Sequence, residues 1–195
     1  RAVAHAHQRG VIHGDIKPSN VLVGRDGNEA LPKVIDFGIS RSLTEGADTR
    51  RAPLGTPRFM SPQQRLGHAP NTRCDVFALG VLLHDALVGP HGAALAGISP
   101  LRTLAERAPE DVKRLASSRS TTPRGLVQSL RGDLDHVVTK ATSPDPNPRH
   151  GSVDALLGDL EAWLDHYPLP SRRLGPGHAF ARLFRRHRLA GSVVL

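Results

Sequence analysis

The sequence places charged and amide side chains in two short motifs. Residues 13–20 read His-Gly-Asp-Ile-Lys-Pro-Ser-Asn, and residues 36–38 read Asp-Phe-Gly directly after the run Lys-Val-Ile at 33–35. A carboxylate, an ammonium group and an amide thus share one loop, and a second carboxylate follows a predicted strand. A phosphoryl transition state spreads negative charge over its oxygens, so catalysis requires positioning and neutralisation of charge. The two motifs therefore indicate transfer of a γ-phosphate.

Each polar residue in the two motifs then has a narrow chemical task. Asp15 would accept the proton of the attacking hydroxyl, and Lys17 would meet the γ-phosphate. Asn20 and Asp36 would hold Mg²⁺, which prefers hard oxygen ligands and needs few protein carboxylates besides the phosphates of a nucleotide. The sequence therefore predicts Asp15 and Lys17 as catalytic residues, with ATP and Mg²⁺ as cofactors.

Two further motifs follow in a fixed order. Residues 55–62 read Gly-Thr-Pro-Arg-Phe-Met-Ser-Pro, and residues 75–83 read Asp-Val-Phe-Ala-Leu-Gly-Val-Leu-Leu. All four motifs together resemble the protein kinase family, where they are the catalytic loop, the metal loop, the end of the activation segment and the central helix of the large lobe. The resemblance implies a mainly α fold with a small β-hairpin, which is the C-terminal lobe of the α+β kinase fold without its N-terminal lobe.

Gly14 keeps another phosphotransferase class open, because small-molecule kinases of the aminoglycoside and choline type also use His-Gly-Asp followed by Asn. Those enzymes usually carry His where this sequence has Lys17, and they lack a counterpart of residues 55–62. The preferred interpretation is a Ser/Thr protein kinase. A membrane-tethered pseudokinase or scaffold is the second alternative, and the strand Lys expected upstream would discriminate it from an active enzyme.

The resemblance also implies two binding roles. Leu22 would lie under the adenine ring of ATP, although core packing explains an apolar residue there equally well. Thr56 would bring its hydroxyl near Asp15 and Lys17, which favours protein Ser/Thr hydroxyls as substrates. The alternative for Thr56 is a turn residue before Pro57.

Three residues have structural roles by the same resemblance. His13 and Phe37 would stack inside the lobe and would not transfer protons. Asp75 lies near the start of a predicted helix, where it would bind the backbone of the catalytic loop around His13. A helix N-cap is the simpler explanation of Asp75, and one residue could serve both purposes.

The sequence departs from the family pattern at two positions. Gly14 replaces the Arg that pairs with a phosphorylated activation loop in many kinases, so we expect activity not to depend on loop phosphorylation through that contact. Gln63 stands where the family usually has a Glu that pairs with the residue equivalent to Arg149. An amide there makes a neutral-charged hydrogen bond, which we expect to weaken the lobe by roughly 1–2 kcal/mol without disabling catalysis.

Composition agrees with one globular lobe. The chain has 195 residues and 38% hydrophobic content, which suffices for one sizeable core. The single cysteine, Cys74, excludes a disulfide framework and is expected to be a small buried residue. His5 and His7 are two positions apart and would lie on different helix faces, so a metal site formed from them is not expected.

Apolar periodicity and turn residues predict the remaining elements. Strands at 21–23 and 33–35 form a hairpin that carries Asn20 and Asp36 at its two ends. Helices are predicted at 1–9, 73–88, 101–116, 132–142 and 152–166. Ser152 is expected to cap the last of these helices.

The resemblance and the charge distribution together predict three regions. Residues 1–168 form the kinase lobe, with a catalytic loop at 13–20, a metal loop at 36–38 and an activation segment at 39–63. Residues 169–188 form a basic juxtamembrane segment, which holds six arginines and no acidic residue. Residues 189–195 are apolar and would begin a truncated transmembrane helix.

This layout resembles that of bacterial, eukaryotic-like Ser/Thr protein kinases of the one-pass membrane type. The resemblance implies a kinase on the cytoplasmic face of the bacterial inner membrane, held there by a basic segment beside the anchor. No nucleic-acid partner is expected, because the positive charge is concentrated in the tail. An exposed basic helix or a nucleic-acid-binding tail is the alternative. The Gly-rich loop, the strand Lys and the helix Glu of kinases have no counterpart in these residues, so we expect the segment alone to bind ATP weakly and to transfer phosphate negligibly.

Overall fold

The computed structural model describes residues 1–27, 29–37, 41–42, 56–90 and 96–172. Helices dominate, and the strands form two antiparallel pairs, β2 with β3 and β1 with β4. The predicted fold, mainly α with a small β-hairpin, is confirmed. The elements follow in the order α1 (Ala2–Gln8), β1 (Val11–Ile12), a 3₁₀ turn (Pro18–Asn20), β2 (Val21–Asp26), β3 (Glu29–Val34), β4 (Arg41–Ser42), α2 (Pro62–Arg65), α3 (Thr72–Val88), α4 (Pro100–Ala105), α5 (Pro109–Ser117), α6 (Pro123–Leu130), α7 (Asp133–Ala141) and α8 (Val153–Leu164).

The hairpin β2–β3 is longer than the two predicted strands. Val21 pairs with Val34 at its open end, and Asp26 pairs with Glu29 beside the turn. Gly27 adopts a φ of 58° in that turn, a left-handed conformation that glycine takes without a steric penalty. The open end brings the residue before β2 next to the residues after β3. The hairpin thereby places both predicted metal ligands at one edge.

Helix α3 runs through the centre of the core, and the predicted helix at 73–88 begins one residue earlier. Val76, Phe77 and Val81 on α3 are fully buried. Gly80 allows α7 to approach α3 closely, because a Cβ atom at Gly80 would lie 2.8 Å from the Cβ of Ala141. Two backbones packed at this distance fix the position of α3 against the rest of the lobe.

One apolar cluster surrounds α3, and a second lies between the end of α3 and helices α4 to α7. Leu160 and Trp163 on α8 pack against both clusters, so the described residues share a continuous core. Cys74 is buried, as expected. The second cluster comprises Val88, Leu104, Ala116, Leu126, Leu130 and Leu134.

The single helix predicted at 101–116 is wrong. Helix α4 ends before residue 106, and α5 begins at Pro109, because proline lacks an N–H and fits only the first turn of a helix. Helix α6 was not predicted; Pro123 opens it, and the Thr122 hydroxyl caps it by accepting from the Gly125 N–H. The helices at 132–142 and 152–166 are confirmed, and the Ser152 hydroxyl accepts from the Ala155 N–H at 3.1 Å.

The packed chain continues past residue 168, the predicted end of the lobe. Leu169 is buried in the core, and the Ser171 N–H donates to Asp159 Oδ1 at 3.0 Å. Arg172 donates to Asp133 Oδ1 at 2.8 Å. The first residues of the predicted basic segment therefore belong to the folded lobe.

Within the described ranges, no helix has both the length and the apolar character needed to cross a membrane. The predictions for the tail concern residues 169–195, of which residues 173–195 lie outside those ranges. Gly38 of the metal loop and residues 39–40 and 43–55 of the predicted activation segment also lie outside them.

Candidate active site

The catalytic loop is fixed by one buried carboxylate on α3. Asp75 is 1% exposed, and its Oδ2 and Oδ1 accept from the N–H groups of His13 and Gly14 at 2.9 and 2.8 Å. His7 Nε2 on α1 donates to the same Oδ2 at 2.8 Å. Gly14 has a φ of 77°, which favours glycine. Asp75 therefore binds the catalytic-loop backbone, as the resemblance implied.

Asp75 does not cap α3. The cap is Asn71, whose side-chain oxygen accepts from the N–H groups of Arg73 and Cys74 at 3.0 and 3.2 Å. Asn is among the preferred N-cap residues, and it leaves Asp75 available for the loop.

The Asp15 side chain lies at the centre of the loop and is almost fully buried. Its Oδ2 accepts from Lys17 Nζ at 2.6 Å, and its Oδ1 accepts from the backbone N–H of Thr56 at 2.9 Å. The contact with Thr56 is made by its amide, whereas the sequence prediction gave the hydroxyl. Ile16, which stands between Asp15 and Lys17 in the sequence, is buried and anchors the loop in the core. The structure thus brings Asp15, Lys17 and Thr56 together.

Asn20 and Asp36 lie at the open end of the hairpin. Asn20 Nδ2 donates to the Asp15 carbonyl oxygen at 2.8 Å, which leaves its side-chain oxygen as the atom that can meet a cation. The Asn20 carbonyl accepts from the Ile35 N–H at 2.9 Å, so Asp36 follows next to it, with a φ of 66°. Within the described residues there is no group of three or more His, Cys, Asp or Glu side chains arranged for a metal. One amide oxygen and one carboxylate fit Mg²⁺ bound together with nucleotide phosphates.

His13 is a structural residue of the site. Its ring contacts the Phe37 ring with centroids 4.8 Å apart and planes tilted by 47°. His13 Nε2 donates to the Ile35 carbonyl at 3.1 Å, and its Nδ1 accepts from the Asp15 N–H at 3.3 Å. Both ring nitrogens are engaged with the backbone, and the ring contact with Phe37 agrees with the predicted stacking.

A known protein family matches most of this chain. The protein kinase domain family matches residues 1–156. The chain belongs to the protein kinase family.

Three of the curated relatives are bacterial Ser/Thr kinases. The chain is 31% identical over 180 residues to serine/threonine-protein kinase Pkn1 of Myxococcus xanthus, across 90% of this chain and 24% of Pkn1. It is 31% identical over 163 residues to PknB of Mycobacterium tuberculosis, across 82% of this chain and 24% of PknB. It is 32% identical over 190 residues to PknL of the same species, across 94% of this chain and 44% of PknL. The chain thus spans about a quarter of the length of the first two relatives.

The kinase hairpin carries Leu22 with 53% of its surface exposed. Core packing is therefore not its role in this structure. Val23 and Leu31 on the same hairpin are also exposed large hydrophobic residues. An exposed apolar side chain beside Asn20 is compatible with the predicted contact to an adenine ring.

Gln63 and Arg149 are in contact, as the kinase resemblance implied. Arg149 is 3% exposed, and its Nη2 donates to Gln63 Oε1 and to the Pro144 carbonyl, both at 2.9 Å. Its guanidinium lies 5.0 Å above the Phe77 ring centroid. Burial lowers the pKa of Arg149 from its ordinary value, since desolvation penalises its charge more than the nearby groups stabilise it. Gln63 supplies an acceptor to this charge but no counter-charge.

Sequence reasoning missed three polar residues around the kinase loop. His7 was considered only as a metal ligand, whereas its ring is bound to Asp75. Gln64 donates to the Gly14 carbonyl at 3.0 Å, and this contact joins positions that are far apart in the sequence. The signal available for Gln64 was the Ser-x-x-Gln capping pattern at 61–64. Arg58 is the third missed residue.

Arg58 connects the end of the activation segment to α3. Its Nη2 and Nε donate to Asp85 at 2.7 and 3.2 Å. Burial raises the pKa of Asp85, but hydrogen bonds from His84 and Arg58 outweigh it, and the pKa stands below its ordinary value. This ion pair fixes the backbone two residues after Thr56, whose amide contacts Asp15.

Proposed function

We propose that the natural polypeptide containing this chain is a Ser/Thr protein kinase that transfers the γ-phosphate of ATP to protein Ser/Thr hydroxyls. The observation that carries the proposal is the buried Asp15 carboxylate, with Lys17 and the Thr56 amide on its two oxygens. Each carboxylate oxygen has two lone pairs, so Asp15 keeps acceptor capacity for the proton of a substrate hydroxyl. Family membership supports the same reaction class.

In this proposal Lys17 neutralises charge on the transferred group. Its ammonium has three donors, of which one meets Asp15 Oδ2 while others can bind a phosphate oxygen. Asn20 and Asp36 would hold Mg²⁺, which would neutralise charge on the phosphate oxygens, and Leu22 would lie against the adenine. The chain itself fixes the base, orients the hydroxyl and excludes water from the buried side of the loop.

Two alternatives carry less support. A small-molecule phosphotransferase is favoured only by Gly14, while the family match and the curated relatives indicate protein kinases. A pseudokinase is disfavoured because Asp15, Lys17, Asn20 and Asp36 are all present.

The test is a transfer assay on the natural polypeptide, with labelled ATP, magnesium and a generic Ser/Thr protein substrate. Asp15→Asn should lower turnover by about 10²–10⁴-fold, because it removes the general base without changing size. Asp26→Asn, an exposed carboxylate at the tip of the hairpin, is the matched control and should keep full turnover. Transfer only to a small alcohol or aminoglycoside would revive the small-molecule class. Absence of transfer from a folded protein with the upstream Lys and Gly-rich loop would favour the pseudokinase.

We also propose that the basic tail lies beside a membrane anchor on the cytoplasmic face of the bacterial inner membrane. The support is the sequence alone, which after Arg172 has five arginines, no acidic residue and the apolar run 189–195. Vesicle flotation of the natural polypeptide, compared with a version ending at residue 172, tests the anchor. A natural polypeptide that stays with the soluble fraction would argue against it.

A further inference from the structure

Two adjacent glutamines on α2 make different contacts. Gln63 is half-buried and reaches Arg149, while Gln64 is 5% exposed and reaches the catalytic loop. Gln64 Oε1 accepts from the Ser61 N–H at 3.0 Å, and Gln64 Nε2 donates to the Gly14 carbonyl at 3.0 Å. One buried amide thus joins the start of α2 to the residue before Asp15.

The orientation of the Gln64 amide is determined by its neighbours. Turning the amide over would place Nε2 against the Ser61 N–H and Oε1 against the Gly14 carbonyl. In that arrangement the Nε2 donor would face the Ser61 N–H donor, and the Oε1 acceptor would face the Gly14 carbonyl acceptor, both in a buried site. Only the orientation with the donor toward Gly14 satisfies both contacts.

The cap of α2 does not explain why this residue is glutamine. In a capping box the third helical residue accepts from the N-cap backbone N–H, and Glu or Gln serves equally. A glutamate at position 64 could accept from Ser61 but could not donate to Gly14. The amide donor is therefore required by the catalytic loop and not by the helix.

The Gly14 residue is held on both sides of its α-carbon. Its N–H donates to Asp75 Oδ1 at 2.8 Å, and its carbonyl accepts from Gln64. The carbonyl belongs to the peptide plane that leads into Asp15, so the contact with Gln64 fixes the orientation of that plane. Gly14 has a φ of 77°, and because glycine can adopt many other backbone conformations, contacts on both sides help to select this one.

We propose that Gln64 is a positioning residue for the transfer reaction, holding the Gly14–Asp15 peptide so that the Asp15 carboxylate faces the substrate hydroxyl. Thr56, earlier in the same segment, contacts the carboxylate itself. The segment 56–64 thus contacts the catalytic loop at both of its ends. This inference rests on the proposed function of Asp15 as the base.

The experiment compares Gln64→Glu, Gln64→Met and Gln63→Met in the natural polypeptide. Gln64→Glu keeps the cap acceptor and removes the donor, Gln64→Met removes both without adding charge, and Gln63→Met is the matched control. We expect both Gln64 variants to lower kcat about tenfold with the KM for ATP unchanged, since misplaced groups mainly affect the chemical step. Gln63→Met should lower the melting temperature and leave kcat unchanged. A Gln64→Glu or Gln64→Met enzyme with wild-type kcat would overturn the proposal, even if its melting temperature falls.

Hydrogen–deuterium exchange over residues 13–16 gives a second readout that needs no activity. We expect about tenfold faster exchange in both Gln64 variants and no change in Gln63→Met, because Gln64 contacts the loop and Gln63 contacts Arg149 instead. Unchanged exchange in the Gln64 variants would refute the positioning role. A wild-type protein without Asp15-dependent transfer would instead refute the proposed function, and the exchange data would still decide whether Gln64 holds the loop.

Discussion

Asp75→Asn isolates the contribution of one buried carboxylate to the catalytic loop. The two oxygens of Asp75 accept from the N–H groups of His13 and Gly14 and from His7 Nε2. Asparagine has nearly the same size but only one acceptor oxygen. In either orientation its amide group faces a backbone N–H, so one buried donor of the loop loses its partner.

The expected cost follows from these contacts. Leaving a buried donor unsatisfied costs about 1–3 kcal/mol, and a hydrogen bond to a charged group contributes about 1.5–3 kcal/mol. Since the two losses overlap, we expect a total of about 3 kcal/mol. For a domain of this size, 1 kcal/mol corresponds to about 2–4 °C, so the melting temperature should fall by about 10 °C.

The assay pairs thermal unfolding with hydrogen exchange over residues 13–15. Asp165→Asn, at an exposed position after α8, is the control and should change stability by less than about 0.5 kcal/mol. Faster exchange in the loop should accompany the lower melting temperature of Asp75→Asn. A melting temperature and loop exchange equal to those of wild type would refute the reasoning, because the backbone donors would then not depend on the carboxylate.

Three further outcomes are expected. Gln63→Glu should raise the melting temperature by about 2–4 °C, because it gives the buried Arg149 charge a counter-charge worth about 1 kcal/mol more than the amide. An unchanged or lower melting temperature would mean that loss of the Gln63–Pro144 hydrogen bond outweighs this gain. Burial lowers the pKa of His150 although Asp159 opposes this, so the folded state favours the neutral ring; its stability contribution is complete above about pH 6.5 and is lost as pH falls toward the lowered pKa. Urea unfolding between pH 7 and pH 5 should therefore show falling stability with a smaller slope in His150→Gln, and equal slopes would contradict this. Replacing four hydroxyl residues of the activation loop with Ala should leave turnover near wild type, whereas a collapse in a folded protein would show that loop phosphates act despite Gly14; the four are Ser40, Ser42, Thr44 and Thr49.

The predictions that succeeded concern residues close together in the sequence or tied to one motif. Asp15, Lys17 and Asn20 lie within one loop, so the placement of their side chains follows from local geometry. Asp36 was placed beside them by the hairpin, which two short apolar runs separated by a glycine-containing turn indicate. Their chemical roles in transfer stay predictions.

The predictions that failed depended on competition between neighbouring signals. Pro109 interrupts an apolar pattern that otherwise fits one helix, and a period of 3.6 alone does not reveal the break. Asp75 binds the loop as the resemblance implied, and only the alternative explanation of Asp75 as a helix cap fails, because Asn71 caps α3. Gln64 contacts Gly14 across the fold, and the sequence contains no local trace of that contact beyond the capping pattern.

Gly80 is a position at which substitution is expected to affect the active site. It lies midway between Asp75, which holds the catalytic loop, and Asp85, which holds the end of the activation segment through Arg58. Any side chain at position 80 would collide with Ala141 and shift α3. Gly80 touches no substrate. In a mutational scan scored by activity, its substitutions should nevertheless lower activity, as substitutions of catalytic residues do.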